Sequence, residues 1–140
     1  MNGNDEEKLF FISGAAGTGK TFLYNQIIAY ARNILKLKIK CSATTGAAAC
    51  LIEDGVTMHS LFGLPFNINE TTKISIDHSS PLIKKLYNTD IFIIDEASAI
   101  NKNQLHFIDH KLRMVMENSE KFGGKRIILG GDFRQCLPIS

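Results

Sequence analysis

Short apolar runs alternate along this chain with segments in which apolar residues recur every three or four positions. Residues 9–12, 91–94 and 126–129 are almost continuously apolar, which is typical of strands in a parallel sheet covered on both faces. Residues 38–43 predict a further strand. Because helical patterns separate these strands, we predict an α/β fold: a parallel sheet flanked by helices on both faces.

Three helices are predicted between the strands. The first follows residue 20, and its buried stripe is predicted from helical spacing: Leu23, Ile27, Ala31 and Ile34. Residues 47–52 favour a short helix that stops near Gly55. Pro81 suits the first turn of a third helix over residues 81–87, because proline is tolerated there.

A fourth helix is predicted to begin after Asn101, a favourable cap, with Gln104 three residues further on. Its inner face follows from the same spacing: Leu105, Ile108, Leu112 and Val115. Residues 63–80 are polar and irregular, which indicates an excursion over the surface. We expect residues 1–8 to be a flexible acidic tail and residues 9–140 to form one domain.

Residues 14–21 read Gly-Ala-Ala-Gly-Thr-Gly-Lys-Thr, the pattern of a phosphate-binding loop, and predict a P-loop NTPase. Glycines let backbone N–H groups approach phosphate oxygens, and the helix that follows directs its positive end at the same anion. Lys20 is expected to neutralise the β- and γ-phosphates of ATP, and the Thr21 hydroxyl to ligate Mg²⁺. The predicted nucleotide contacts are Gly14, Ala15, Ala16, Gly17, Thr18, Gly19, Lys20 and Thr21.

An acidic pair, Asp95 and Glu96, directly follows the apolar run of residues 91–94. Ligands of open α/β sheets bind at the carboxyl ends of strands, where this pair is predicted to lie. We expect Asp95 to hold Mg²⁺, largely through coordinated water, and Glu96 to act as the general base on the attacking water. Taken without the phosphate loop, the pair reads equally well as a solvated strand end.

Composition narrows the class of protein further. The 140 residues are 44% hydrophobic and 21% charged, as in soluble globular domains, and a net charge of +2 is too small to indicate nucleic-acid binding by itself. No apolar run reaches about 18 residues, so no membrane span is expected, and no secretory leader is apparent. Cys41, Cys50 and Cys136 fit no metal or disulfide spacing. We expect reduced, mostly buried thiols in the nucleus or cytoplasm.

Five segments in order resemble the PIF-type superfamily-one DNA helicases, including the helicase domains of Helitron transposons. They are residues 11–21, 43–49, 57–63, 93–98 and 130–138, and they span nearly the whole chain. The last, Gly-Gly-Asp-Phe-Arg-Gln-Cys-Leu-Pro, is the most discriminating and looks closer to the Helitron-like branch. The resemblance implies the first RecA-like motor domain of a 5′-to-3′ helicase.

The resemblance also implies roles for residues outside the phosphate loop. Gln135 would sense the γ-phosphate, although a loop glutamine bonded to backbone fits it too. Contacts to single-stranded DNA are implied at Thr44, Thr45, Gly46, His59 and Ser60. Thr45 is also a suitable helix cap, and for His59 the DNA contact and a structural role are equally supported. Phe62 suits either a stacking face for a base or core packing, of which we favour packing.

We therefore expect an ATP hydrolase that uses Mg²⁺, binds single-stranded DNA, avoids membranes and is monomeric. The second RecA-like motor domain, with the arginine that stabilises transition-state charge, is expected to be missing, so these residues alone should hydrolyse ATP feebly and not translocate. Two alternatives are a nucleotide-dependent binding module and an inactive helicase remnant, neither of which unwinds DNA. A nucleotide kinase shares the loop but not the segment near Gln135.

Overall fold

The computed structural model describes residues 8–14, 19–50, 52 and 54–132. Its strands are β1 (Leu9–Ser13), β2 (Ile39–Ala43), β3 (Val56–Thr57), β4 (Ile91–Asp95) and β5 (Arg126–Gly131). Its helices are α1 (Lys20–Asn33), α2 (Gly46–Ala49), α3 (Met58–Phe62), α4 (Pro81–Asn88) and α5 (Lys102–Met116). Two 3₁₀ segments, Ala97–Ala99 and Lys121–Gly124, precede α5 and β5.

The strands form one parallel sheet in the order β1-β5-β4-β2-β3. In register, Ala43 of β2 lies beside Asp95 of β4 on one side and beside Thr57 of β3 on the other. Because every strand runs the same way, their carboxyl ends meet at one edge of the sheet. The predicted parallel sheet is confirmed.

Strand β4 contains the unbroken apolar run of residues 91–94, which is needed because both faces of this strand are covered. All five of its residues are buried, and alternate side chains enter different cores. Phe92 and Ile94 belong to the core formed with α3, α4 and α5, whereas Ile91 and Ile93 belong to the core formed with α1. Helices therefore cover both faces of the sheet, as the sequence predicted.

The predicted stripe on α1 is partly wrong. Tyr24, Ile28 and Ala31 are the buried residues of this helix, while Leu23 and Ile34 are 42% and 64% exposed. The helix is rotated so that Tyr24 faces the sheet. The prediction counted only apolar residues and therefore omitted Tyr24. The hydroxyl of this tyrosine has a buried hydrogen-bond partner on β4.

Strand β1 is also less buried than its sequence predicted. In the part of the chain that the structure describes, it lies at the edge of the sheet and pairs only with β5. Phe10 and Phe11 are 38% and 61% exposed as a result. Cys50 is exposed too, whereas Cys41 is buried as expected.

Helix boundaries follow local hydrogen bonds. The predicted capping box of α5 is confirmed: the Gln104 backbone N–H donates to Asn101 Oδ1 over 2.8 Å, and the Asn101 N–H donates to Gln104 Oε1 over 3.0 Å. Pro81 opens α4, also as predicted. The second predicted helix is shorter than expected, and α3, capped by Thr57, was not predicted.

Residues 64–80 contain no helix or strand, in agreement with the predicted surface excursion. Ile68, Ile74 and Ile76 nevertheless pack partly against the core on the α5 side, which ties the excursion down. In the described ranges, no helix has the length and apolar character needed to span a membrane.

Replacement of Gly130 by alanine is expected to destabilise the fold. A Cβ atom built there would overlap the Tyr24 hydroxyl, with the Tyr24 Cζ only 2.6 Å away. Relief of that overlap in a packed core typically costs about 1–3 kcal/mol. Urea unfolding of Gly130→Ala should show this loss in the free energy of unfolding.

Gly46→Ala is the matched control, because a Cβ atom at Gly46 meets nothing within 4 Å. Its free energy of unfolding should stay within about 0.5 kcal/mol of the parent. Equal losses in the two variants would show that the close approach of Tyr24 to β5 does not limit this position.

Candidate active site

The carboxyl edge of the sheet gathers the sequence motifs. The Gly14 N–H, after β1, donates to the Gly131 carbonyl over 3.0 Å, and the Thr44 N–H, after β2, donates to the Asp95 carbonyl over 3.2 Å. The start of α1 lies at the same edge. Segments far apart in the sequence therefore meet at one place, as parallel strands require.

Lys20 and Asp95 form the centre of this edge. The Lys20 Nζ lies 3.6 Å from Asp95 Oδ1, and the two side chains are only 14% and 10% exposed. Gly19 precedes them with φ 86°, a left-handed conformation that glycine adopts without strain. Neither a capping side chain nor an acidic residue occupies the first turn of α1. The positive end of the helix is thus left for an anion.

Tyr24 is a site residue that the sequence analysis missed. Its hydroxyl donates to Asp95 Oδ1 over 2.6 Å, the same oxygen that Lys20 approaches. Burial, and secondarily this hydrogen bond and the Asp95 charge, raise the pKa of Tyr24 well above its usual 10.0. Its spacing from Lys20 could have indicated this role, because residues four positions apart on a helix lie on the same face.

Glu96 turns away from Asp95. Its backbone is left-handed, with φ 55°, so the extended strand ends at Asp95. The Thr44 hydroxyl donates to the Glu96 carbonyl over 3.2 Å, and the Thr45 hydroxyl donates to Glu96 Oε2 over 3.4 Å. One carboxylate of the pair is therefore buried against α1, and the other is exposed beside the loop after β2.

The structure tests one of the two roles predicted for Thr45, the helix cap. Thr45 is the N-cap of α2, and its hydroxyl accepts a hydrogen bond from the Ala48 N–H over 3.2 Å. Thr45 and Gly46 are also exposed, and Thr44 is half-buried. The cap is confirmed, and the surface is accessible to a ligand.

Helix α3 presents two predicted DNA contacts and buries a third candidate. His59 is half-buried and Ser60 exposed, whereas Phe62 is fully buried and packs 5.0 Å from the Phe92 ring. Phe62 is therefore a core residue and offers no stacking face. An exposed aromatic near α3 is Phe66, which is 94% accessible, with its ring centre 6.3 Å from that of His59.

The described donors suit magnesium. Thr21 lies in the first turn of α1 and Asp95 at the end of β4, so one hydroxyl and one carboxylate lie at the same edge. Mg²⁺ is typically held by one or two protein oxygens and keeps several waters. Within the described ranges, no group of three or more histidine, cysteine or acidic side chains forms a metal cluster. Ala15, Ala16, Gly17, Thr18, Gln135 and Cys136 lie outside the described residues.

Comparison with known proteins agrees with this arrangement. A family model described as PIF1-like helicase matches residues 2–140. The ATP-dependent DNA helicase Pif1 of Psychrobacter is 32% identical over 134 residues, which are 94% of this chain and 20% of that protein. The ATP-dependent DNA helicase RRM3 of Saccharomyces cerevisiae is 33% identical, over 93% of this chain and 18% of that protein. The chain thus spans about a fifth of the length of these relatives.

Solved structures give the same result for the fold. Bacteroides Pif1 bound to single-stranded DNA superposes with a TM-score of 0.79 and 35% identity, over 91% of this chain and 29% of that one. Bacteroides Pif1 helicase in complex with ADP-AlF₃ and single-stranded DNA gives a TM-score of 0.80 and 36% identity, over 97% and 30%. The motifs, the sheet order and a family model that matches residues 2–140 lead to one conclusion: the chain belongs to the PIF1-like helicase family.

Proposed function

We propose that this chain is the ATP-binding part of a 5′-to-3′ DNA helicase, which hydrolyses ATP with Mg²⁺ and contacts single-stranded DNA. The observation that carries the proposal is the approach of Lys20, the lysine of the phosphate-loop sequence, to Asp95, whose Oδ1 lies 3.6 Å from the Lys20 Nζ. Two relatives named as ATP-dependent DNA helicases, and a related structure holding ADP-AlF₃ and single-stranded DNA, support it.

Lys20 changes partner when the nucleotide binds. Without nucleotide its ammonium pairs with Asp95; the β- and γ-phosphates carry more negative charge and draw it away. Asp95 would then hold Mg²⁺, largely through coordinated water, and the Thr21 hydroxyl would be a direct ligand. Mg²⁺, when bound, neutralises charge on the phosphates. Tyr24 keeps the Asp95 carboxylate in place throughout, because its hydroxyl bond does not depend on Lys20.

Glu96 is the proposed general base. Its carboxylate takes a proton from water while the water oxygen bonds to the γ-phosphorus. The bond between that phosphorus and the β–γ bridging oxygen breaks, and ADP leaves with the electron pair. Gln135 is proposed to sense the γ-phosphate.

The DNA path is proposed to follow the carboxyl edge of the sheet. Thr44, Thr45 and Gly46 after β2, and His59 and Ser60 on α3, offer hydroxyl, backbone N–H and imidazole groups to a single strand. Contacts of this kind need little net positive charge, which fits the net charge of +2.

Lys20→Ala and Glu96→Gln separate nucleotide binding from hydrolysis. Loss of the lysine should weaken binding of a fluorescent Mg-ATP analogue by about ten-fold or more, because a charge-assisted contact is worth about 1.5–3 kcal/mol. Glu96→Gln should bind the analogue normally but hydrolyse ATP about 10²–10⁴ times more slowly. Single-turnover assays with excess protein can detect such slow rates. Retained hydrolysis in Glu96→Gln would remove Glu96 as the base.

Tyr24→Phe tests the hydroxyl bond to Asp95 through pH. The raised pKa of Tyr24 means that the unfolded chain loses this proton first, so its contribution to stability is present below about pH 10 and is lost as pH rises further. The free energy of unfolding should therefore fall more steeply from pH 9.5 upward in the parent than in Tyr24→Phe. Parallel curves would show that the hydroxyl is not buried as described.

His59→Ala should weaken binding of a fluorescent oligo-dT strand without changing nucleotide affinity. Loss of one base contact corresponds to about 1 kcal/mol or more, which is roughly five-fold in the dissociation constant. His78→Ala is the matched control, because His78 is an exposed histidine in the excursion after α3. If both variants bind the strand like the parent, His59 does not contact DNA.

A further inference from the structure

Three hydrogen bonds tie the loop after β2 to the acidic pair. The Thr44 N–H donates to the Asp95 carbonyl over 3.2 Å and the Thr44 hydroxyl to the Glu96 carbonyl over 3.2 Å. The Thr45 hydroxyl donates to Glu96 Oε2 over 3.4 Å. The proposed general base is thus held by a residue of the proposed DNA-binding loop.

The Thr45 hydroxyl has no donor capacity to spare. It accepts from the Ala48 N–H as the cap of α2, and its single proton is donated to Glu96. A phosphate oxygen of a strand lying on Thr45 and Gly46 would need that same proton. The surface is open to such a strand, since both residues are exposed and a Cβ atom at Gly46 would meet nothing within 4 Å.

We propose that Thr45 is a positioning residue that restrains Glu96 in the absence of DNA and releases it when a strand phosphate accepts the hydrogen bond of the Thr45 hydroxyl in place of Glu96. The release has two physical causes. The phosphate and the Glu96 carboxylate compete for one donor, the Thr45 hydroxyl, and their like charges repel each other when both lie beside it. The freed Glu96 carboxylate then turns to the water beside the γ-phosphate, so that DNA binding accelerates hydrolysis.

This inference rests on the proposed function, because it requires Glu96 to be the base and the loop after β2 to contact DNA. It adds the means by which one site acts on the other. The link is a direct contact between side chains and needs no movement of the sheet.

Single-turnover hydrolysis with and without a 20-nucleotide oligo-dT tests the restraint. Thr45→Val removes the hydroxyl at nearly constant volume, so hydrolysis without DNA should rise about five-fold, the factor that corresponds to ~1 kcal/mol. The acceleration by oligo-dT should shrink by a similar factor, while the affinity for Mg-ATP stays unchanged. Thr45→Ser keeps the donor and should behave like the parent.

Further variants isolate the cause. Thr45→Asp retains a capping oxygen for α2 but cannot donate, so it should also hydrolyse faster without DNA, even if Thr45→Val folds poorly. Thr57→Val removes the corresponding cap of α3, which does not contact Glu96, and should leave the rate without DNA unchanged. Adding Glu96→Gln to Thr45→Val should abolish the gain, because the gain passes through the base.

Unchanged or slower hydrolysis without DNA in both Thr45→Val and Thr45→Asp would overturn the restraint. If Glu96→Gln alone retains hydrolysis, the assignment of Glu96 as the general base in the proposed function fails instead, whatever the Thr45 variants do. If Glu96→Gln is inactive and the Thr45 variants match the parent with and without DNA, only the inference on Thr45 fails. The two failures are therefore distinguishable.

Discussion

The buried carboxylate of Asp95 is the constraint on which the rest of this structure depends. An ionised carboxylate at the end of a covered strand is unfavourable by several kcal/mol unless it is paired. Lys20 and Tyr24, four residues apart on α1, supply the partners for one of its oxygens. That pairing sets the rotation of α1 about its axis, which turns Ile28 inward and Ile34 outward. Chemistry at the site thus decides how a helix packs.

The same constraint extends to β5. Tyr24 is large and fully buried, and its hydroxyl occupies the space in which a side chain at position 130 would lie. The space at Gly131 is less restricted but still close, with the Ala97 backbone nitrogen 3.3 Å from where its Cβ would be. Packing therefore explains why glycine occupies the first two positions of the most discriminating sequence motif. The two glycines let α1 and the chain after Glu96 approach the strand.

Features set by local interactions could be predicted from the sequence, and features set by long-range pairing could not. The unbroken apolar run of β4 and the capping box at Asn101 each depend on neighbours along the chain, and both are confirmed. The place of Asp95 at the carboxyl edge of the sheet was predicted from the apolar run before it, but its approach to Lys20, 75 residues away, was not. The predicted buried face of α1 was partly wrong because Tyr24 is amphipathic and its hydrogen-bond partner, Asp95, is 71 residues away. The prediction that β1 is buried was wrong because an apolar run does not reveal whether a strand has one neighbour in the sheet or two.

Strand order also explains why the proposed DNA and nucleotide sites are so close. Ala43 of β2 is in register with Asp95, so the residues that follow each strand, Thr45 and Glu96, must meet although 51 positions separate them. Ala43 is also in register with Thr57, which places α3 and its His59 one strand further from the acidic pair. A nucleic-acid strand that crosses this edge along the proposed path would therefore meet His59 and then Thr45. Of these two residues, only Thr45 contacts Glu96, the proposed general base. The two proposals therefore give His59 a role in DNA affinity alone and Thr45 a role in the acceleration of hydrolysis.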